Sequence, residues 1–246
     1  MDKLLYVSMT GARENMLAQR VHANNLANAT TTGFKADLEQ ARAMRVLGDG
    51  YESRVYAMSE RPATDTTAAT LIQTGRDLDV AINGEGWIAV VGPDGQEAYS
   101  RGGELQINAV GQLVTGTGLP VMGNGGLPVV IPPAEKIQIA TDGRIVILPL
   151  GAESSELAQI DQIKTVRSDA PLFKGEDGLM HADNGQVLEA DQSVNVRSGY
   201  LESSNVNAVG EMTAIISLSR QFEMQVKMMK TAEENSSAAT EILKLS

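Results

Sequence analysis

The sequence predicts a mixed α and β fold, in which long N- and C-terminal α-helices pack together in a coiled-coil layer and flank an inserted antiparallel β domain. Three observations predict this class: a heptad stripe near each end of the 246-residue chain, the absence of proline from both end segments, and a middle divided by Asn-Gly and Asp-Gly pairs. The expected path of helix, connector, β domain, connector and helix brings the two ends of the chain together.

The first helix is predicted for residues 2–28, which contain one glycine and no proline. Its apolar side chains recur in steps of four and three residues, and only Gln19 interrupts them. The stripe consists of Leu5, Met9, Ala12, Met16, Ala23 and Leu26. We interpret this stripe as the packing seam of the helix.

The last helix is predicted for residues 207–244, where Gly210 is the only glycine and proline is absent. Its stripe consists of Phe222, Met229, Ala232, Ala239 and Leu243, with Gln225 and Ser236 as polar interruptions. Four methionines fit the two stripes, which favours a packing role over an adaptable ligand-binding surface. They are Met9, Met16, Met212 and Met229.

Neither helix can bury its stripe alone, since an isolated helix is only marginally stable in water. In one interpretation the helices form an antiparallel hairpin on the body of the same molecule. In the other, each stripe is only partly covered within one chain and the remainder contacts neighbouring subunits. The stripes by themselves leave both interpretations open.

The middle of the chain, residues 76–189, is predicted to be an antiparallel β domain. Its turn pairs tolerate the positive φ angles of tight turns. They are Asp94-Gly95, Asn124-Gly125, Asp142-Gly143, Asp177-Gly178 and Asn184-Gly185. Isoleucines alternate with period two at 137 and 139, and again at 145 and 147, so a β-hairpin is expected around Asp142-Gly143. Further strands are expected at 78–82, 87–91, 113–115 and 128–131.

We therefore expect a terminal helical assembly domain (1–35 and 205–246), an extended connector (36–75 and 190–204) and the β domain (76–189). Within the first connector segment, residues 38–47 can extend a helix, whereas 51–55 and the threonine-rich 62–74 have an extended, polar character. No firm structure is assigned to residues 36–75.

Composition disfavours several classes of function. The chain carries 20 basic and 31 acidic residues, and an acidic surface repels the phosphate backbone of nucleic acids. It has no cysteine and no apolar stretch of membrane-spanning length. Arg13, Glu14 and Arg20 interrupt any apolar core of a signal peptide near the N-terminus. We expect no nucleic-acid partner, no membrane insertion and no cleaved Sec-type signal.

Little in the sequence indicates catalysis. Only His22 and His181 are available for a histidine-based triad or metal site, and no phosphate-binding or dinucleotide motif is present. Carboxylate pairs such as Asp77 with Asp79, or Asp177 with Asp183, arise by chance in so acidic a segment. We expect no enzymatic activity, metal or cofactor, and a carboxylate enzyme such as a wall hydrolase is kept as a minor alternative.

Motifs at both ends and in the middle carry a family resemblance. Residues 23–35 read ANNLANATTTGFK, residues 199–212 read GYLESSNVNAVGEM, and the β segment contains LDVAINGEGW at 78–87. YSRGG at 99–103 and GQLVT at 111–115 continue the pattern. Together they resemble the signatures of the flagellar rod and hook protein family across nearly the whole chain.

The end motifs also have a physical interpretation. Asparagines and threonines can satisfy the last carbonyls of the first helix, Gly33 can adopt a left-handed conformation, and Phe34 can anchor the exit of the chain. Asn207 is a plausible N-cap of the last helix, with Glu211 near the positive end of its dipole.

Membership implies a structural subunit of the flagellar basal-body rod, exported through the flagellum's own type III apparatus and located in the part of the basal body that spans the periplasm. Copies of the chain and other rod proteins are the implied partners, and polymerisation through the terminal helices forms part of the drive shaft and of the export channel wall. Chain length and the PLFKGEDG segment at 171–178 favour a proximal-rod subunit; a distal-rod subunit and a secreted adhesin-like binding module are the alternatives.

The stripes and the two end motifs together define the expected subunit interface. Its residues are Leu5, Met9, Ala12, Met16, Ala23, Asn24, Asn25, Leu26, Asn28, Thr32, Gly33, Phe34, Leu201, Glu202, Ser204, Asn205, Val206, Asn207, Met212, Arg220, Phe222, Glu223, Lys227, Met229 and Leu243.

Overall fold

The computed structural model describes residues 2–45, 55–60, 63–151, 157–168 and 170–244. The chain forms two compact units. The helical unit comprises Met1–Ala29, Ala36–Asp65 and Val206–Ser246, and the β unit comprises Thr30–Lys35 and Thr66–Asn205.

The helical unit contains two long helices and a β-hairpin. Helix α1 spans Asp2–Ala27 and helix α2 spans Ala208–Lys244. Strand β1 (Gln40–Arg45) pairs antiparallel with strand β2 (Val55–Glu60), and β2 packs against α1. With this pairing, the prediction that residues 38–47 extend a helix is wrong for Gln40–Arg45, because that segment finds a strand partner. Residues 46–54 and 61–62 lie outside the described part of the chain.

Helices α1 and α2 pack against each other in antiparallel fashion, as the fold class requires. His22 on α1 meets Glu211 on α2, and Gly11 lies beside Gln225, so the residue numbers run in opposite directions along the pair. At 1.5 Å per residue, the 26 residues of α1 span about 39 Å and the 37 residues of α2 about 55 Å.

The stripe predicted on α2 is confirmed as a covered face. Phe222, Met229 and Ala239 are half-buried, Ala232 is buried, and the interrupting Gln225 is also half-buried. The same heptad steps continue towards the start of the helix through other half-buried residues. These are Glu211, Ile215, Leu218 and Phe222. The Ser236 position is exposed, and the side chain of Leu243 lies outside the described part of the chain.

The seam predicted on α1 is only partly covered within the chain, since Ala12 is buried but Leu5, Met9 and Met16 are exposed. A more continuous row of covered positions consists of Ser8, Gly11, Asn15, Ala18, His22 and Asn25. Each lies one residue before a position of the predicted heptad, a rotation of about 100° around the helix. Small side chains at Ser8, Gly11 and Ala18 carry little hydrophobic signal, and an ideal Cβ on Gly11 would lie only 2.9 Å from Gln225 Nε2 of α2.

The β unit is built from short antiparallel strands. They are β3 (Leu71–Gln73), β4 (Val80–Asn83), β5 (Trp87–Val91), β6 (Glu97–Ser100), β7 (Leu105–Ile107), β8 (Leu113–Thr115), β9 (Ala134–Ile139), β10 (Arg144–Pro149), β11 (Ala158–Gln162), β12 (Thr165–Val166), β13 (Phe173–Lys174), β14 (Met180–His181), β15 (Asn195–Ser198) and β16 (Tyr200–Glu202). Among the described residues, the largest sheet has the order β12-β5-β6-β14-β13, and β9, β10 and β11 form a three-stranded sheet. Aliphatic side chains from these strands fill one core, and a second buried cluster includes Trp87, Tyr99 and Met180.

The predicted hairpin is confirmed. Ile145 pairs with Ile139 and Ile147 with Ile137, and Gly143 adopts φ +82° in the turn between the two strands. The runs at 87–91 and 113–115 are strands with those bounds, and the run at 78–82 overlaps β4. Residues 128–131 make only isolated bridges, which join Pro128 to Met122 and Val130 to Gln112.

Candidate functional site

The stripe predicted on α1 forms an exposed apolar surface of the helical unit. Leu5, Met9 and Met16 expose 39%, 51% and 58% of their surface, although Ala12 is buried and Leu26 is half-buried. Helix α2 also exposes large apolar side chains. They are Val209, Met212, Ile216, Met224, Val226 and Met228. The prediction that methionines 9, 16 and 212 are core residues is therefore wrong within one chain, because the helices meet through a different face.

The expected interface residues fall into three classes of exposure. Those exposed are Leu5, Met9, Met16, Ala23, Asn24, Asn207, Met212, Arg220, Glu223 and Lys227. Those half-buried are Leu26, Asn28, Thr32, Gly33, Phe34, Leu201, Ser204, Asn205, Val206, Phe222 and Met229. The buried ones are Ala12, Asn25 and Glu202. Burial and internal hydrogen bonds leave Asn25 and Glu202 little exposed surface within the single chain, and their place in a subunit interface stays a prediction.

Two asparagines close the ends of the helices as the sequence indicates. At the end of α1, Asn28 Nδ2 donates to the carbonyl of Asn24 at 2.9 Å. At the start of α2, Gly210 N–H donates to Asn207 Oδ1 at 3.2 Å, the bond expected of an N-cap residue. Glu211 lies in the first turn, where the helix dipole favours a carboxylate.

Asn25 holds the segment after α1 against the helix. Its Nδ2 donates to the carbonyl of Asp37 and its Oδ1 accepts from Asp37 N–H, each at 2.9 Å. Its Nδ2 also lies 3.3 Å from Glu211 Oε1, and the other oxygen of Glu211 contacts His22 Nδ1. The buried asparagine thus joins α1, α2 and the chain that follows α1 within the helical unit.

We expect Asn25→Ala to lower the free energy of unfolding of the helical unit by about 2–3 kcal/mol, because it leaves the buried N–H and carbonyl of Asp37 without this partner. Thermal denaturation followed by circular dichroism measures the change. Asn24→Ala is the matched control, since that side chain is exposed, and it should change stability by less than about 0.5 kcal/mol. Equal losses in the two variants would contradict this role of Asn25.

In the β unit, the end of the TTGFK motif packs closely on the RGG motif. Gly33 has φ +70°, and an ideal Cβ there would lie 2.2 Å from the backbone carbonyl carbon of Arg101. Phe34, expected to anchor the chain, is half-buried, and Lys174 Nζ lies 3.7 Å from its ring centroid. Lys174 Nζ also donates to the carbonyl of Lys35 at 2.8 Å.

Glu202 lies at the centre of a buried ion cluster that sequence reasoning missed. Its Oε1 accepts from Lys35 Nζ at 2.7 Å and from Ala69 N–H at 2.9 Å, and its Oε2 accepts from Arg101 Nη1 at 2.9 Å. Lys35, Arg101 and Glu202 belong to three different motifs of the sequence. In the sequence, each of these charged residues has small or apolar neighbours. This pattern is the signal that could have indicated a buried cluster.

Burial in the cluster acts to raise the pKa of Glu202, but the Ala69 N–H bond, the Lys35 bond and the Arg101 charge outweigh it and hold the pKa below its usual value. A carboxyl group whose pKa is lower in the folded state stabilises the fold above its unfolded pKa of about 4.3, and this contribution is lost as the pH falls through the folded pKa. We therefore expect the melting temperature to fall on acidification below about pH 4.3 and to fall less steeply in Glu202→Gln. Parallel slopes for the two proteins would contradict this assignment.

The members of each acidic pair considered for catalysis have different surroundings. Asp79 is buried with Arg76 at 3.3 Å, while Asp77 is exposed, and Asp177 pairs with His181 at 3.0 Å. Within the described ranges, no group of three or more His, Asp or Glu side chains is placed to hold a metal ion. None of the described helices is both long and apolar enough to cross a membrane.

Three family models match the chain in separate segments. Residues 5–35 match the model described as flagella basal body rod protein, and residues 81–147 match the flagellar hook protein FlgE/F/G D1 domain. Residues 197–242 match the flagellar basal body rod FlgEFG protein C-terminal model. The first and last matches contain most of α1, most of α2 and both end motifs.

Full-length relatives agree with these models. The chain is 38% identical to the flagellar basal-body rod protein FlgF of Escherichia coli (strain K12) and 39% identical to FlgF of Salmonella typhimurium (strain LT2), with 100% of each chain covered. It is 31% identical to the flagellar basal-body rod protein FlgG of Agrobacterium fabrum over 98% of this chain and 100% of that protein. The chain therefore belongs to the flagellar basal-body rod and hook protein family.

Proposed function

We propose that this chain is a structural axial subunit of the proximal rod of the bacterial flagellum, which polymerises through its terminal helices. The observation that carries the proposal is the exposed apolar surface on both helices, in a chain whose relatives are named basal-body rod proteins. The identity to the two FlgF proteins, higher than to the FlgG protein, favours the proximal over the distal rod.

In this proposal the two faces of α1 pack against different partners. The face through Gly11 and His22 contacts α2 of the same chain, which leaves the face through Met9 and Met16 for a neighbour. Exposed apolar surface is costly in water, and its burial supplies the main driving force for association. When one surface of a subunit meets a different surface of the next and the rotation does not close a ring, the product is an open helical polymer.

The proposal also covers the place of the subunit in the rod, its route of export and its partners. Helices from many subunits surround a central channel and form part of its wall, and the β units add mass to the shaft. The subunit reaches this place through the flagellar export apparatus and lies in the part of the basal body that spans the periplasm. Its partners are copies of itself and other rod proteins, and its role involves no catalysis.

Immunogold labelling of isolated basal bodies tests the proposal. The chain, carrying an epitope tag in the exposed turn at Asp94-Gly95, is produced in a strain that lacks its own FlgF. We expect restored swimming and gold label on the rod near its membrane-proximal end. Label at the end of the rod next to the hook would favour the distal-rod alternative, and label over the cell body with no rescue would favour a secreted binding module.

A further inference from the structure

Two segments of the β unit run side by side where the chain leads to its helices. Residues 30–35 follow α1 and residues 199–205 precede α2. Gly33 N–H donates to the carbonyl of Glu202 at 2.8 Å, and Asn205 N–H donates to the carbonyl of Phe34 at 3.4 Å. Side chains add a further connection between the two segments.

The Lys35–Glu202–Arg101 cluster supplies this connection. One carboxylate binds a cation from each side, and the three side chains expose only 2%, 1% and 3% of their surface, in the order Lys35, Glu202, Arg101. Arg101 is itself fixed, since its Nη2 donates to the carbonyl of Gly84 at 2.8 Å and its guanidinium lies 5.2 Å from the Trp87 ring centroid. The cluster therefore ties both segments to the strand region around β5.

The energetics of buried charges indicate what such a cluster is for. A buried ion pair contributes little net stability compared with apolar residues of the same volume, because the desolvation of the charges offsets their attraction. It does impose strict geometry, since a displaced partner leaves a buried charge unpaired. A cluster of this kind is better suited to fixing positions than to raising stability.

We propose that Lys35, Arg101 and Glu202 are positioning residues, which set the separation of segments 30–35 and 199–205 and so hold the two ends that lead to α1 and α2 at a defined distance. The significance of this separation for rod assembly rests on the proposed function. The separation itself is a property of the single chain and is measured there.

The absence of cysteine from the chain allows a direct measurement. Spin labels at Thr30→Cys and Ser204→Cys report the separation of the segments by pulsed electron resonance on the full-length monomer. Lys35→Met removes the tie from segment 30–35 while leaving Glu202 paired with Arg101. We expect a broader and longer distance distribution, together with a fall in melting temperature of roughly 5–10 °C from loss of a charged hydrogen bond.

Two controls separate positioning from general loss of stability. Arg167→Met removes an equivalent cation from the exposed pair with Glu85 and should leave both the distances and the melting temperature unchanged. Val90→Ala creates a cavity in the core and should lower the melting temperature by a comparable amount without broadening the distances. Unchanged distances in Lys35→Met, or equal broadening in Val90→Ala, would overturn the proposal.

If Lys35→Met does not fold, Arg101→Lys is the second variant to be measured. It keeps a cation near Glu202 but lacks the planar guanidinium that bonds Gly84 and Glu202 together, and we expect the same broadening. A distance distribution in Arg101→Lys as narrow as in the unmodified chain would contradict the positioning role of the cluster. Because all distances are measured on the monomer, they are independent of whether the chain enters a rod, which the gold labelling tests separately.

Discussion

Replacing Gly33 with alanine is expected to destabilise the β unit by about 4 kcal/mol or more, which is a large effect for a single methyl group. A residue with a Cβ loses about 1–2 kcal/mol in the left-handed conformation that Gly33 adopts at φ +70°. The added methyl would also lie 2.2–2.4 Å from three backbone atoms of Arg101 and Gly102, which cannot rotate away as a side chain can. Thermal denaturation of the isolated chain should show a fall of roughly 10 °C.

Gly75→Ala is the matched control for this prediction. Gly75 has φ +76°, nearly the same backbone conformation, but among the described residues no atom lies within 4 Å of its ideal Cβ. Only the conformational cost of about 1–2 kcal/mol should remain. The difference between the two variants measures the close packing of the TTGFK motif on the RGG motif. Equal losses would show that this packing contributes nothing.

Met9→Glu is expected to abolish swimming while the isolated chain stays folded. Met9 exposes 51% of its surface in the monomer, so a glutamate there remains hydrated and stability should change by less than about 0.5 kcal/mol. In the proposed polymer, the carboxylate would be buried against a neighbouring helix without a partner, at a cost of several kcal/mol. At about 1.4 kcal/mol for each factor of ten, incorporation would weaken by roughly a hundredfold or more. Soft-agar swimming and the subunit content of basal bodies measure the result.

Arg20→Gln is the control for charge. It changes the net charge by the same amount at an exposed position of α1 that lies outside the apolar stripe. Swimming should persist in this variant. Normal swimming of Met9→Glu, or an equal loss of swimming in Arg20→Gln, would contradict the proposal that the α1 stripe is part of the assembly surface.

The helices show how far a hydrophobic period can be trusted. On α2 the stripe through Phe222, Met229 and Ala232 is the covered face, as its hydrophobic period predicts. On α1 the same rule selects Met9 and Met16, and it misses the packed face one residue earlier. Glycine, serine and alanine carry little hydrophobic signal, yet close approach of two helices requires residues of that size.

The ion cluster shows a second limit of prediction from sequence, which concerns charged residues. Lys35, Arg101 and Glu202 are far apart in the sequence, and a charge in a motif is by default assigned to the surface. The pairing of segments 30–35 and 199–205 brings Lys35 to Glu202, and Arg101 reaches the same carboxylate from a third segment of the chain. Glu202 was therefore expected at a subunit interface, although its partners lie within its own chain.

The sequence by itself determined the fold class, the family, the hairpin around Asp142-Gly143 and the N-cap at Asn207, because each depends on local period, turn chemistry or a contiguous motif. Tertiary structure alone decided which face of α1 contacts α2 and where the charges of the motifs are neutralised. Both depend on the distance between segments remote in the chain, which is set by the size of facing residues such as Gly11 and by the backbone contact at Gly33. The exposed methionine stripe on α1, which is the surface proposed for assembly, follows from the choice of the face that contacts α2.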